Sequence, residues 1–240
     1  MTESESRLAT DSSAIVEHAI SIPRSARYYT LGPTHGFPRE LWIVCHGYGQ
    51  LARRFIQSFS ALDDGTRLVV APEALSRFYL DPIRVRRNES SPRVGATWMT
   101  REDRDAEIAD YVSYLERVAT LVRHALAGAA PRLVVFGFSQ GTATVCRWLQ
   151  TSDVRAERII LWSGGLPPEI DLVAWAARMH VASLTLVSGE SDELVSPNTV
   201  TADAERLSAA GVAFDVVRHP GGHAIDSTVL VQLAARFSGH

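Results

Sequence analysis

The chain contains no lysine. All 24 of its cationic residues are arginine, which a GC-rich coding bias explains more simply than any function does. Cysteine is nearly as scarce. Cys45 and Cys146 are the two in 240 residues, and both sit in apolar stretches, so buried free thiols are expected rather than a disulfide framework. There is no basic excess, the formal net charge being −3. That argues against nucleic acid as a partner, and no acidic block marks a disordered tail. No apolar run approaches the roughly 20 residues needed to cross a bilayer, so stable membrane insertion is not expected. The opening MTESESRLATDSS carries three acidic residues before Ile15, not the basic and then apolar layout of a signal peptide, and predicts a cytoplasmic protein. No H-E-x-x-H or comparable ligand cluster occurs, so neither a metal nor another cofactor is expected. Nothing in the sequence sets an oligomeric state.

What is present is an alternation. Near-continuous Val, Ile and Leu runs at Leu41–Cys45, Arg67–Ala71, Arg132–Phe136, Arg158–Trp162, Ser183–Val187 and Val212–Val217 read as parallel strands covered on both faces. Ala26–Leu31 reads as an antiparallel edge strand. Helical patterns fill the gaps. Phe55, Ile56, Phe59 and Leu62 make one apolar face. Thr100 and Asp103 resemble a capping box that opens a helix with Ile108, Tyr111, Val112, Leu115, Val118 and Val122 on one side. Ser196-Pro197 reads as an N-cap and first helical residue, with Val200, Ala204 and Leu207 inward. A last helix carries Ile225, Val229, Leu233 and Phe237. The pattern predicts a doubly wound, mostly parallel α/β sheet with helices on both faces. The length fits a single domain over 1–240, with a flexible segment at 1–20. Residues 72–100, with prolines at 72, 82 and 92, are expected as a long irregular loop near the substrate. There is no room for a large cap domain, so an active site should be open.

Gly137-Phe138-Ser139-Gln140-Gly141 matches G-x-S-x-G. The pattern is weak alone, but here it follows an apolar strand and precedes a helical run, the strand–turn–helix setting of a nucleophile elbow. Such a turn raises the serine hydroxyl above the sheet and aims the next helix's N-terminal amides at the same place. A serine hydroxyl needs a base to take its proton, and in this setting the chain order is serine, acid, histidine. His223, in a Pro-Gly-Gly-His loop after the last strand, is the candidate base. His219 lies at a strand end before proline, His180 precedes a strand, and His240 is the last residue. The acid should follow Ser183–Val187, where Glu190, Asp192 and Glu193 all stand. Asp192 lies at the loop centre, although spacing leaves the other two open. Asp215 and Asp226 are weaker alternatives. The first strong strand ends in His46-Gly47-Tyr48-Gly49. The backbone amides of Tyr48 and Gln140 are therefore the expected oxyanion-hole donors, with side chains that need not matter. His46 reads as a structural, hydrogen-bonded histidine.

With these residues in place, the chain resembles the phospholipase/carboxylesterase family of α/β-hydrolases, which includes acyl-protein thioesterases and lysophospholipases. HGYG at 46–49, AP at 71–72, GFSQG at 137–141, SGG at 163–165, GESDELV at 189–195 and PGGH at 220–223 carry the resemblance. They follow the family's order over nearly the whole chain. The resemblance implies the α/β-hydrolase fold, puts the acid at Asp192, and supports Ser139, His223 and the Tyr48 and Gln140 amides. Two features depart from the family: Gln50 follows HGYG where an aspartate is common, and 72–100 is long and arginine-rich.

Phe78, Tyr79, Trp98, Met99 and Leu166 are candidates to line an acyl pocket, or simply to pack the loop onto the domain. Arg84, Arg86, Arg87 and Arg93 either attract an anionic headgroup or form a solvated face. The expected function is a serine carboxylesterase acting through an acyl-enzyme on small-molecule esters of short or medium acyl length. Lysophospholipid or acyl-thioester cleavage is the nearest alternative. A non-catalytic binding protein on the same fold is the reading from a different class, and the availability of serine, acid and histidine counts against it.

Overall fold

The computed structural model describes residues 15–34, 36–87, 90–126, 128, 130–179 and 183–236. Residues 1–14 of the N-terminal segment, His180, Phe237 and His240 lie outside the described residues. In chain order the elements begin with β1 (Tyr28–Leu31), β2 (Glu40–Cys45), α1 (Ala52–Phe55) and a 3-10 helix (Ile56–Leu62). Then come β3 (Arg67–Pro72), β4 (Ser76–Tyr79), α2 (Ile83–Arg86), β5 (Val94–Thr97) and α3 (Arg104–Ala125). The second half runs β6 (Arg132–Phe138), α4 (Gln140–Thr151), β7 (Arg158–Trp162), α5 (Leu172–Met179), β8 (Ser183–Gly189), α6 (Pro197–Ala209), β9 (Phe214–His219) and α7 (Ser227–Ala235).

Seven strands form one sheet in the order β1-β3-β2-β6-β7-β8-β9. Only β1 runs antiparallel in it, at the edge beside β3. The period of two explains why the inner strands are apolar throughout. Leu41, Ile43 and Cys45 of β2 face one core layer with Leu133, Val135, Ile159 and Leu161, packed against α3 and α4. Trp42 and Val44 face the other with Val134, Phe136, Ile160 and Trp162, packed against α1, the 3-10 helix and α7. A one-residue slip would exchange the two layers, so the register is strongly specified. No helix among the described residues is long and apolar enough to cross a membrane.

Three local expectations change. Residues 72–100 are not irregular throughout: β4 and β5 pair as an antiparallel two-stranded sheet, and Arg93 clamps the connection by bonding Asp81 through its backbone N–H (2.7 Å) and Nε (2.8 Å). Thr100 and Asp103 form no capping box. Asp103 is left-handed (φ 47°) with no side-chain cap, and Glu107 reaches back to take the Thr100 N–H and hydroxyl instead. The last strand starts at Phe214, not Val212, because Gly211 (φ 70°) is still turning the chain. That shift carries the strand on to His219. Elsewhere Ser196 caps α6 as its sequence implies, accepting from the Asn198 N–H.

Candidate active site

The C-terminal ends of β2, β6, β7, β8 and β9 converge. At the end of β6 the chain turns through Ser139 with φ 54° and ψ −119°, a conformation that costs a non-glycine residue on the order of 1–3 kcal/mol. The surrounding structure enforces it. The Ser139 N–H donates to the Trp162 carbonyl (2.9 Å), and α4 passes so close to β2 that a Cβ on Gly141 would lie 2.1 Å from the Cys45 carbonyl oxygen. The second glycine of the motif is thus required by helix–strand contact.

Asp192 and His223 are joined directly. His223 Nδ1 lies 2.9 Å from Oδ2 and 3.0 Å from Oδ1 of Asp192. The Asp192 side chain is fully buried, and Oδ1 also accepts from the Leu194 and Val195 amides, each at 2.9 Å. Burial alone would raise the carboxyl pKa. The Val195 amide, His223, the Leu194 amide and the Ser163 hydroxyl together outweigh it and hold the group below its ordinary value. A carboxylate beside Nδ1 fixes the proton there and leaves Nε2 free to accept. Glu190 and Glu193, which spacing left open, are both exposed. The loops that carry Asp192 and His223 are pressed together: a Cβ on Gly189 would sit 2.3 Å from the Gly221 carbonyl. Phe138, the residue before Ser139, packs on the imidazole, its ring centroid 5.0 Å from that of His223. His219 is buried at the end of β9 against Trp162, and its Nδ1 accepts the Gly221 N–H (3.2 Å). Asp226 caps α7, and Asp215 is exposed on the edge strand.

The loop after β2 is held peptide by peptide. The Ala74 N–H donates to His46 Nε2 (3.0 Å), which leaves the proton on Nδ1 to donate to the Gly47 carbonyl (2.8 Å). Burial pushes the His46 pKa down to about 4, so the ring is neutral near pH 7. The Gly47 carbonyl and the Tyr48 N–H belong to one planar peptide and point in opposite directions. Fixing the carbonyl therefore aims the Tyr48 amide. Gln50 Oε1 accepts the Gly47 N–H (2.8 Å), which gives the residue that departs from the family pattern a definite task. The loop is also bridged to β5, by Gly49 N–H to the Ala96 carbonyl (2.8 Å) and Ala96 N–H to the Gln50 carbonyl (3.1 Å).

The Gln140 side chain matters, contrary to expectation. Its Oε1 accepts the Trp98 N–H (3.1 Å), and its Nε2 donates to the Met99 carbonyl (2.9 Å) and Thr97 Oγ1 (3.0 Å). An amide with donor and acceptor at the first residue of α4 signals such a staple, although its target cannot be read from the motif. Of the pocket candidates, Phe78 is half-buried and packs on the Tyr48 ring at 5.1 Å. Tyr79 is exposed beneath the Arg86 guanidinium (4.4 Å). Trp98 is buried between His46 and Tyr111, with its Nε1 donating to the His46 carbonyl (2.8 Å). Met99 lies against Arg147, and Leu166 is buried with its N–H on Asp203 (2.8 Å).

The sequence profile of the phospholipase/carboxylesterase family matches residues 35–238. The chain belongs to the phospholipase/carboxylesterase family. Solved structures agree on the fold, which is that of the α/β-hydrolases. A carboxylesterase from Mesorhizobium loti is 20% identical, with 88% of this chain and 94% of that chain covered and a TM-score of 0.65. A phospholipase/carboxylesterase from Dyadobacter fermentans is 18% identical over 90% of this chain and 98% of its own, at 0.63. Acyl-protein thioesterase 2 from Zea mays is 17% identical over 89% and 98%, at 0.61. No curated relative matches by sequence. The family is one of hydrolases, and the matched stretch contains every residue of the site just described.

Proposed function

We propose that the protein is a serine carboxylesterase that hydrolyses short- to medium-chain acyl esters through an acyl-enzyme. The observation that carries this reading is the buried Asp192 bonded to His223 Nδ1 at 2.9 Å, together with a serine held at φ 54° after β6. In this mechanism His223 Nε2 takes the Ser139 hydroxyl proton as the oxygen attacks the ester carbonyl. Asp192 orients the ring and stabilises the imidazolium. The Tyr48 and Gln140 amides receive the negative charge that develops on the carbonyl oxygen. One such donor is worth about 3–4 kcal/mol in the transition state. His223 then protonates the departing alcohol, and water delivered by the same base releases the acid.

Trp98 and Leu166 are committed to the core, which leaves the Tyr48–Phe78 ring pair as the apolar surface next to the proposed oxyanion donor. An apolar surface of that size supports a short or medium acyl chain on a small-molecule ester. The test is hydrolysis of p-nitrophenyl esters of graded acyl length by the parent and by Ser139→Ala. The expected result is activity that peaks at short or medium chains and vanishes in the variant. Activity that survives in Ser139→Ala removes the serine from the mechanism, and a preference for thioesters or lysophospholipids over all simple esters replaces the substrate class.

A further inference from the structure

Ser163 follows β7 directly and adopts φ 48°, a left-handed conformation with a cost on the order of 1–3 kcal/mol for a residue with a side chain. Two glycines follow it, so the residue type suited to that conformation stands next in the chain while a serine occupies the strained position. The residue is buried, 1% exposed, and its Oγ makes no hydrogen bond of ordinary geometry, although it is among the groups that hold the Asp192 carboxyl below its ordinary pKa. A buried hydroxyl left in that state adds a desolvation cost of about 1–3 kcal/mol. Two costs at one position, between nucleophile and acid, need an offsetting role.

The register shows what the hydroxyl meets. Trp162 is level with Val187, and the Ser163 N–H donates to the Val187 carbonyl (2.7 Å). Ser163 therefore lies at the mouth of the loop that leaves β8. That loop folds back at once, with the Asp192 N–H on the Gly189 carbonyl (3.3 Å), and its carboxylate is buried. Oδ1 of that carboxylate receives two backbone amides and shares the imidazole, whereas Oδ2 is bonded by the imidazole. The Ser163 hydroxyl is the last of the groups that favour the ionised carboxylate, after the two amides and the imidazole.

We propose that Ser163 is a positioning residue for the acid, its rotatable hydroxyl donating to Oδ2 of Asp192 as charge develops on His223. The inference rests on the reading of Asp192 as the acid of the proposed esterase. A carboxylate with this extra donor is less basic towards the imidazole. Removing the donor strengthens its hold on the imidazolium, raises the pKa of the base, and moves the acidic limb of kcat/KM to higher pH.

The experiment compares the pH profile of kcat/KM for a p-nitrophenyl ester in the parent, Ser163→Ala, Ser163→Gly and Asp192→Asn. Ser163→Ala removes the hydroxyl and keeps the strain, whereas Ser163→Gly removes both and should fold at least as well as the parent. The expected result is an acidic limb raised by about half a pH unit and kcat lowered about 10-fold in both serine variants. Parental profiles in both overturn the proposal, as does a shift in Ser163→Ala that Ser163→Gly restores, which would assign the effect to the backbone. Full activity in Asp192→Asn overturns the underlying reading instead, so the two failures are distinguishable.

Discussion

The two ends of the central sheet are held by opposite means. At the N-terminal ends of the strands, one buried carboxylate is the anchor: Glu40 accepts from Arg67 Nε (3.0 Å), Arg132 (3.1 Å) and the Trp42 indole (3.0 Å), with Arg158 at 3.8 Å. Neighbouring strands are cross-linked there through side-chain charge, with the backbone relaxed. At the C-terminal ends the backbone itself is bent. Ser139 and Ser163, which follow adjacent strands, are two of the three non-glycine residues with positive φ among the described residues. Stability is concentrated at one end and strain at the other. In the proposed mechanism the strained end is where backbone amides and a hydroxyl are presented to a reacting group.

The sharpest way to break this contrast is Ser139→Gly. It should lower turnover on p-nitrophenyl esters by on the order of a million-fold, while raising unfolding stability in urea by about 1 kcal/mol through release of the left-handed strain. A less stable variant would show that the elbow is not strained. Glu40→Ala reverses the pattern. Leaving the arginines around an empty buried position should cost about 3–5 kcal/mol of stability, with kcat/KM unchanged at temperatures where the variant is folded.

His46 gives a pH-dependent version of the test. Its folded pKa of about 4 lies below the unfolded value, so the unfolded chain binds the proton more readily. Stability should therefore fall as pH drops from about 6.5 to about 4, by on the order of 3 kcal/mol from this group. In His46→Asn that part of the pH dependence should be absent, as followed by chemical unfolding at several pH values. The smallest effect is expected at Gln50. Gln50→Ala frees the Gly47 N–H and should lower kcat about 10-fold with KM little changed. An effect on KM alone would place Gln50 in substrate binding instead.

The sheet was legible because its strands are buried on both faces and therefore read as unbroken apolar runs. Leu41–Cys45 and Arg158–Trp162 fall where those runs put them. The hairpin of β4 and β5 was not, because Ser76–Tyr79 and Val94–Thr97 are four residues each and carry arginine and glycine instead of an apolar run. Its importance also lies in a long-range bridge, Gln50 to Ala96, that no local pattern encodes. Among the three acidic residues after β8 the difference is burial: Asp192 is folded inward by its own loop, which composition does not reveal. Ser163 was visible only as part of a short motif. A serine gives no sign of a left-handed backbone in the way a glycine does.

The hairpin has a consequence for how such an enzyme can vary. It bonds the Tyr48 loop through Ala96 and, two residues on, bonds α4 through Trp98 and Gln140. One short strand thus works as a spacer that sets the separation of the two amides proposed to share the oxyanion. The two ends of the connection between β4 and β5 are fastened to each other by a separate Asp81–Arg93 clasp. In the proposed esterase, exchange of that connection changes which esters are admitted, while the calibration of the chemistry stays with β5 and its continuation. Selectivity and catalytic geometry are in this way separately adjustable parts of one hairpin.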